Sequence, residues 1–399
     1  MAKLLTVAER QARSDAPGGH FALWVLGFRP FYLLASIFAA LSIPLWVAQY
    51  AGYLPAGMTH IPAWHGHEML FGYTLAVITG FLFTAGRNWT GQPTPTGGVL
   101  MAFALLWVAG RVLMLTPYAL AAAVVNTAFP VAVAIAFAIP LWKSRNQRNY
   151  FFVALLVLLG AVVLAMHLSW LGVIAWPAQA GLQAGLDVVL FVIAVMGGRV
   201  IPMFTNNGIP GAQATRRPLI EKLALGSVLL LLIADILVLP AALIAAIALA
   251  AALAHAARLY LWQPWRTLRT PLVWVLHVAY GWLVVHLVLR ALAALGAVAE
   301  PLALHALTIG TIGGMTLGMM TRTARGHTGR PLVADRFEVM TFLLILCAVL
   351  IRVFGGMLLP DAYASTIVGS GICWSLAFAI CAIRYWLVLS RARLDGKPG

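Results

Sequence analysis

Segments of about 20 apolar residues recur from one end of this chain to the other. Of its 399 residues, 62% are hydrophobic and 9% are charged, whereas a soluble domain carries about 25% charged residues. Lipid offers no water to backbone amides, so a long apolar segment must satisfy them internally, as a helix does. The pattern predicts an all-α polytopic membrane protein without a separate soluble domain.

Twelve segments are predicted to be transmembrane helices, and proline or glycine stands at several joints between them. They cover residues 29–51, 64–86, 97–116, 119–142, 149–173, 179–202, 219–239, 241–262, 271–296, 302–322, 336–358 and 363–389. The first segment lacks a small-residue cleavage site after a short apolar core, which favours an uncleaved helix. We expect one membrane domain over 29–389, preceded by a cytoplasmic segment 1–28 and followed by a cytoplasmic tail 390–399.

Basic residues are concentrated at both termini and in alternate loops. They are Lys3, Arg10 and Arg13; Lys143, Arg145 and Arg148; Arg216, Arg217 and Lys222; Arg266 and Arg269; Arg325, Arg330 and Arg336; and Arg391, Arg393 and Lys397. The intervening loops carry almost none and instead hold Glu300 and Asp361. The positive-inside rule then predicts that both termini are cytoplasmic. Topology also accounts for the net charge of +15, which therefore gives no indication of a nucleic-acid partner.

A weak internal repeat divides the membrane domain into three four-helix units, at about 29–142, 149–262 and 271–389. The second, sixth and tenth segments each end in Gly-x-Pro, and another glycine stands 11 residues before each of these glycines. The aligned pairs are Gly80 and Gly91, Gly197 and Gly208, and Gly318 and Gly329. Gly-x-Pro is common at helix ends, so chance is the alternative. The repeat predicts a pseudo-threefold bundle in which glycines let backbones or a flat cofactor approach closely.

Five of the ten histidines lie inside or at the mouth of apolar segments. They are His67, His167, His277, His286 and His305. Ionisable residues within a membrane usually serve a function, and imidazole is the commonest side-chain metal ligand. His67 and His305 each stand 24 residues before the aligned glycine of their repeat. They are thus predicted at equivalent positions near the periplasmic ends of two equivalent helices.

Further histidines are predicted at a similar depth. The set in the periplasmic half is His65, His67, His167 and His305, with His286 approaching it. Glu68 and Asp187 share this depth, so a metal or haem site with outer carboxylates is one interpretation. His277 lies about half a turn out of phase with His286 and ~13 Å nearer the cytoplasm. Hydrogen bonding between helices is the alternative role for each of these histidines.

Other polar residues in the apolar segments have simpler expected roles. Arg111, Arg199, Arg290 and Arg352 are expected to pair with Asp187, Asp235, backbone carbonyls or cofactor carboxylates, although the sequence assigns no partners. His255, beside Arg258, is expected to snorkel to the surface. His327 either binds an anion, caps a helix or has no special role.

The three cysteines indicate no redox or metal motif. Cys347, Cys373 and Cys381 form no C-x-x-C motif. This argues against both an attached c-type haem and an iron–sulfur cluster. We expect buried free thiols.

Several longer motifs resemble the NnrS family. These are Phe28-Arg29-Pro30-Phe31, the run from Trp64 to Tyr73 (WHGHEMLFGY), Asn88-Trp89-Thr90-Gly91, and the region from His305 to Pro331 that ends in Gly326-His327-Thr328-Gly329-Arg330-Pro331. The resemblance covers nearly the whole chain. It implies a twelve-helix protein of the bacterial inner membrane that contains haem and copper and takes part in nitric oxide metabolism and resistance to nitrosative stress.

The predicted architecture is also similar to that of haem–copper oxidases and nitric oxide reductases, which have twelve helices in three arcs of four. Histidines of the second and tenth helices hold a low-spin haem there, and His67 and His305 fill those places here. The chain lacks an adjacent His-His pair in its seventh segment and any histidine in its sixth. A copper site like theirs is therefore in doubt, and copper ligands would come from His65, His167, His277 or His286.

Two classes of function follow from these patterns. The first is a haem b and copper redox protein that acts on nitric oxide, by reduction or scavenging, with electrons from an unidentified donor; nitric oxide partitions into lipid, which suits a buried site. The second is a membrane transporter or a haem- or metal-handling protein without redox turnover. A four-helix parallel repeat argues against a transporter, since transporter repeats are usually inverted or of six helices. A role as a sensor or an assembly factor is a third possibility, but no appended soluble domain supports it.

Overall fold

The computed structural model describes residues 21–54 and 63–396. The predictions for the N-terminal residues Lys3, Arg10 and Arg13 and for Lys397 lie outside these ranges. Within them, the only extended pairing is an isolated bridge between Phe21 and Arg391.

Twelve helices, numbered α1 to α12 here, occupy the described residues at the predicted places. They are α1 Phe28–Tyr50, α2 Trp64–Thr90, α3 Gly97–Leu113, α4 Ala119–Lys143, α5 Tyr150–Trp170, α6 Ala178–Gly208, α7 Pro218–Ile236, α8 Ala241–Leu261, α9 Pro271–Ala294, α10 Glu300–His327, α11 Arg336–Leu358 and α12 Tyr363–Ser390. The main departures are that α6 and α10 extend five or six residues beyond their predicted ends. Both extensions end in polar residues, Thr205 to Asn207 in α6 and Arg325 to His327 in α10, so hydropathy alone did not include them.

Ten of these helices are long and apolar enough to cross a bilayer. The other two, α3 and α7, fall short for different reasons. Helix α3 has 17 residues, fewer than the roughly 20 that span the hydrocarbon core. Helix α7 has 19 residues and carries Glu221, Lys222 and Asp235. The described chain is a multi-pass helical membrane protein.

The helices begin and end at residues whose chemistry suits a terminus. Helices α2 and α10 are followed by Gly91 and Gly329, with φ of +65° and +72°, a conformation that glycine adopts at little cost. Helix α11 begins with a capping box, in which Asp335 accepts the amides of Phe337 and Glu338 while Glu338 accepts the amide of Asp335. In the sixth segment the left-handed glycine is Gly211 rather than Gly208, because α6 continues further.

Two of the equivalent helices contain a π-helical segment at the same place in the repeat. In α2 it covers Glu68–Thr74, directly after His67. In α10 it covers Ala306–Gly313, directly after His305. A third π segment, Ile351–Gly355, lies in α11. Such segments are rare and are frequently found at functional sites, so the two positions selected by the repeat share an unusual backbone.

The inner glycine of each aligned pair lies where another helix approaches. A β-carbon on Gly80 would stand 2.9 Å from that of Phe31 in α1. One on Gly197 would meet the ring of Tyr280 in α9 at 3.0 Å, and one on Gly318 would meet Val275 at 2.8 Å. The glycines therefore permit close helix packing, as the repeat predicted.

The contacts group the chain into two compact units. The first comprises Met1–Leu182, Arg322–Leu332 and Phe378–Gly399; its described part contains α1 to α5 and the C-terminal ends of α10 and α12. Its apolar core includes a cluster around Trp64, Met114 and Ala122.

The second unit comprises Gln183–Thr321 and Val333–Ala377. It contains most of α6, helices α7 to α9, most of α10, α11 and the first half of α12. One of its apolar clusters is built from Trp282, Leu289, Val349 and Val353 with neighbouring residues.

The left-handed residue after α2 gives a test of the fold. In Gly91→Ala, no neighbouring atom would clash within 4 Å, but the positive φ costs about 1 kcal/mol for an L-residue. We expect a lower thermal unfolding midpoint in detergent. Gly226→Ala is the matched control, since Gly226 lies inside α7 with open space around it. There alanine stabilises the helix by about 0.5–1 kcal/mol, so the two variants should shift the midpoint in opposite directions. A rise for both would contradict the structure.

Candidate metal centre

His67 lies buried in the first unit, at the junction between the first turn of α2 and its π segment. Its Nδ1 lies 2.9 Å from Oε1 of Glu68, which is also buried. A carboxylate acceptor fixes the proton on Nδ1, which leaves the lone pair of Nε2 available. Among the described residues, that Nε2 is buried and has no hydrogen-bond partner. A histidine in this state is arranged as metal-ligating histidines usually are.

Glu68 is neutralised by an arginine from α3. Nη1 of Arg111 donates to the same Oε1 at 2.8 Å, and its Nη2 donates to the side-chain oxygen of Asn126 in α4. The guanidinium also lies over the rings of Phe38 and Trp107, at 6.0 and 5.8 Å from their centroids. The carboxylate and guanidinium cancel in charge, so this buried cluster is neutral when His67 is neutral.

A second histidine lies against the first. The ring of His167, from α5, is 5.2 Å from that of His67 at 84°, and the indole of Trp170 contacts both rings, at 5.5 and 5.1 Å. Nε2 of His167 and the indole nitrogen of Trp170 are also buried without a partner in the described part of the chain. Leaving buried polar atoms unpaired costs free energy, so packing alone does not account for this group of polar side chains.

His65 is directed elsewhere. The turn Trp64–His67 is a regular helix, in which residues two apart diverge by roughly 200°. The His65 ring stacks on Trp46 of α1 at 4.3 Å. The structure therefore brings His67 and His167 together in the first unit, and not His65 with them.

The second unit holds a different buried cluster. Arg290 of α9 donates from Nη1 to Asp187 at 2.8 Å and from Nη2 to Asp235, and the two carboxyl groups lie within hydrogen-bonding range of each other. These are two of the arginine partners that the sequence proposed. Two carboxylates share one guanidinium here, so the cluster becomes neutral when one carboxyl holds a proton.

His286 and His305 also lie in the second unit. Nδ1 of His286 bonds to the carbonyl of Ala303 at 2.8 Å, and its buried Nε2 has no partner among the described residues. Nδ1 of His305 bonds to the carbonyl of Pro301 at 2.6 Å. Both rings thus carry the proton on Nδ1, as His67 does.

His277 has a different arrangement. Its Nδ1 lies 3.1 Å from the carbonyl of Val273, and its Nε2 lies 3.3 Å from the hydroxyl of Thr205. Both ring nitrogens are engaged, so the geometry does not favour this histidine as a ligand.

The expectation that His255 snorkels to the surface is wrong. Its side chain is buried, with Nδ1 2.6 Å from the hydroxyl of Tyr280 and Nε2 3.1 Å from the carbonyl of Ala224. Arg258, which also bonds to Tyr280, forms two hydrogen bonds with Glu221. The missed signal was Glu221 in the first turn of α7, an acidic residue that matches the arginine near the end of α8.

Arginine and cysteine positions complete the comparison. Arg352 bonds to the hydroxyl of Tyr363 at 3.1 Å, a partner that the sequence did not suggest. Of the three free cysteines, Cys381 is buried, Cys373 is half-buried and Cys347 is exposed, so the expectation of buried thiols is wrong for Cys347.

Within the described residues, no three side chains of His, Cys, Asp or Glu converge as a preformed metal site. The strongest grouping is the two imidazoles of His67 and His167 with their carboxylate and indole neighbours. Two imidazoles suit copper, zinc or iron, and one imidazole suits the axial position of haem iron.

The chain matches the family model described as NnrS protein over residues 22–393. It belongs to the NnrS family. The matched range contains all twelve helices and every motif that carries the resemblance, including the buried run from Trp64 to Tyr73. No curated protein matches the chain.

The ion pair beside His67 is open to a test in this NnrS-family chain. In Arg111→Met, the Glu68 carboxylate stays buried without its counter-ion, which costs about 3–5 kcal/mol. We expect a large drop in the thermal unfolding midpoint. The double variant Glu68→Gln/Arg111→Met removes both charges, and the amide oxygen still accepts from His67, so it should recover most of the loss. Equal instability of the single and double variants would show that charge pairing is not what Arg111 provides.

Proposed function

We propose that this NnrS-family protein is a haem b- and copper-containing redox protein of the bacterial inner membrane that acts on nitric oxide, by reduction or scavenging. The observation that carries the proposal is the state of His67. Its Nδ1 is held by a carboxylate, its Nε2 is buried without a partner in the described chain, and a second imidazole lies 5.2 Å away. A purely structural histidine in an apolar bundle would use both nitrogens, as His255 does.

Two assignments of the cofactors are consistent with these residues. In the first, His67 and His305 would hold haem, because they share a register, a proton position and a following π segment. In the second, His67 and His167 would hold copper, because their rings are in contact. The Nε2 of His286 has no partner among the described residues, so His286 is a further ligand candidate for the remaining metal.

The protein side chains would set the environment of these groups. When bound, haem and copper would supply the one-electron chemistry and the open coordination position that nitric oxide requires. Glu68 orients His67 and increases its basicity, and Arg111 keeps the surroundings neutral. The apolar helices exclude water and admit nitric oxide, which is itself soluble in lipid.

Protons and electrons must balance in the reductive alternative. Two molecules of nitric oxide, two electrons and two protons give nitrous oxide and water, so an external reductant supplies the electrons.

Cofactor content gives the first test. The wild type should show a Soret band, a haem b spectrum after pyridine extraction, and bound copper. His67→Ala should lose one of the two cofactors. Loss of haem in both His67→Ala and His305→Ala supports the first assignment, whereas loss of copper in both His67→Ala and His167→Ala supports the second assignment. His277→Ala is the matched control and should keep both cofactors. Retention of both cofactors in all four variants would refute the ligand set.

Activity is measured separately. The purified, chemically reduced protein should consume nitric oxide in an anaerobic electrode assay, and His67→Ala should lower the rate at least about tenfold, as expected for loss of a metal ligand. No consumption by protein with full haem and copper occupancy would refute the enzymatic role. A colourless protein without a Soret band would favour the transporter or metal-handling alternative.

A further inference from the structure

Two motifs that the proposed metal centre does not use meet in the first unit. These are Phe28-Arg29-Pro30-Phe31 at the start of α1 and the segment from Arg325 to Pro331 at the end of α10. The ring of Phe28 lies 5.5 Å from that of His327. Arg29 reaches the end of α12, where its Nη1 donates to the carbonyls of Leu389 and Arg391 at 2.9 and 2.7 Å.

The remaining edge of the Arg29 guanidinium is unused. Arg29 is 0% exposed, and its Nε and Nη2 have no hydrogen-bond partner among the described residues. A guanidinium stays charged in a protein, so these N–H groups cannot be relieved by losing a proton. Nε and Nη2 form the edge that donates two parallel hydrogen bonds to one oxyanion.

Several other arginines lie near Arg29. Arg330 and Arg393 lie close enough for their charges to act on it. The neighbouring helix ends add further buried arginines, which are Arg322, Arg325 and Arg384. Arg393 forms two hydrogen bonds with Asp395 and donates to the carbonyl of His327.

The described part of the first unit contains two acidic residues, Glu68 and Asp395. Glu68 pairs with Arg111 near the start of α2, and Asp395 accepts two hydrogen bonds from Arg393. Neither reaches the open edge of Arg29, and a buried guanidinium edge that no described residue fills, with other arginines beside it, is the feature of an anion site.

We propose that this place, formed by the start of α1 and the ends of α10 and α12, binds a phosphate group through the Nε–Nη2 edge of Arg29, with Arg330 beside it. The phosphate comes either from an anionic phospholipid headgroup or from free phosphate. The helix ends that form the site carry basic residues, and these residues predicted that this end of the helices faces the cytoplasm. Anionic headgroups are concentrated at the cytoplasmic surface of the membrane. Binding would hold the three helix ends together through the guanidinium of Arg29.

The test compares the full-length wild type with Arg29→Gln, Arg29→Lys and the control Arg148→Gln, an exposed arginine of a loop. The first measurement is the thermal midpoint in lipid-free detergent, with inorganic phosphate or chloride at matched ionic strength. The second is the midpoint in nanodiscs of phosphatidylcholine with and without phosphatidylglycerol, together with native mass spectrometry of retained lipid. A ligand that binds the folded state raises the midpoint in a saturable way.

We expect a saturable stabilisation of the wild type that Arg148→Gln retains and Arg29→Gln loses. Arg29→Lys keeps the charge but not the edge that donates two hydrogen bonds, so its affinity for phosphate should fall about tenfold. If the glutamine variant does not fold, the lysine variant provides the test. An effect of inorganic phosphate in detergent identifies free phosphate, whereas an effect and retained lipid only with phosphatidylglycerol identify the headgroup.

Two outcomes would overturn the proposal. The first is equal stabilisation of the wild type and both Arg29 variants. The second is loss of haem from the Arg29 variants with no phosphate dependence in the wild type, which would assign the edge to a cofactor carboxylate. Neither outcome depends on nitric oxide consumption.

Discussion

Charge neutrality inside an apolar bundle is the constraint on which the rest of this structure depends. A lone charge at the centre of a membrane helix costs several kcal/mol, and three of the buried carboxyl groups are accompanied by an arginine from another helix. Glu68 meets Arg111, Glu221 meets Arg258, and Asp187 meets Arg290. These pairs fix which helices are neighbours and how far each is rotated, and the candidate site takes its shape from them.

The buried polar groups fall into two kinds. In the network of His255, Tyr280 and Arg258, every named hydrogen-bonding atom has a partner, which indicates a structural role. Around His67 and His167, buried nitrogen atoms remain without partners in the described chain. Since leaving such atoms unpaired costs about 1–3 kcal/mol each, the second arrangement makes sense if something absent from the polypeptide completes it.

Much of the fold follows from the sequence because membrane helices need long apolar runs, and these are visible one segment at a time. The aligned glycines also predicted close packing correctly, and the register selected the two histidines that precede π segments. The partners of buried charges were harder to predict. Glu68 and Arg111 stand 43 residues apart in the chain, and whether they meet depends on how their two helices are rotated. His255 was misjudged for the same reason, since its surroundings come from α7 and α9. The association of His67 with His305 remains a prediction.

The pairing of α2 with α3 has a consequence for how the chain enters the membrane. Helix α3 is only 17 residues long and carries a charged Arg111 near its C-terminal end, which opposes insertion of this helix by itself. Its charge is cancelled by Glu68, and its Trp107 indole donates to the carbonyl of Gly72 in the π segment of α2. The less costly route into the bilayer is therefore as a hairpin with α2, which makes the biogenesis of α3 dependent on the helix that carries His67.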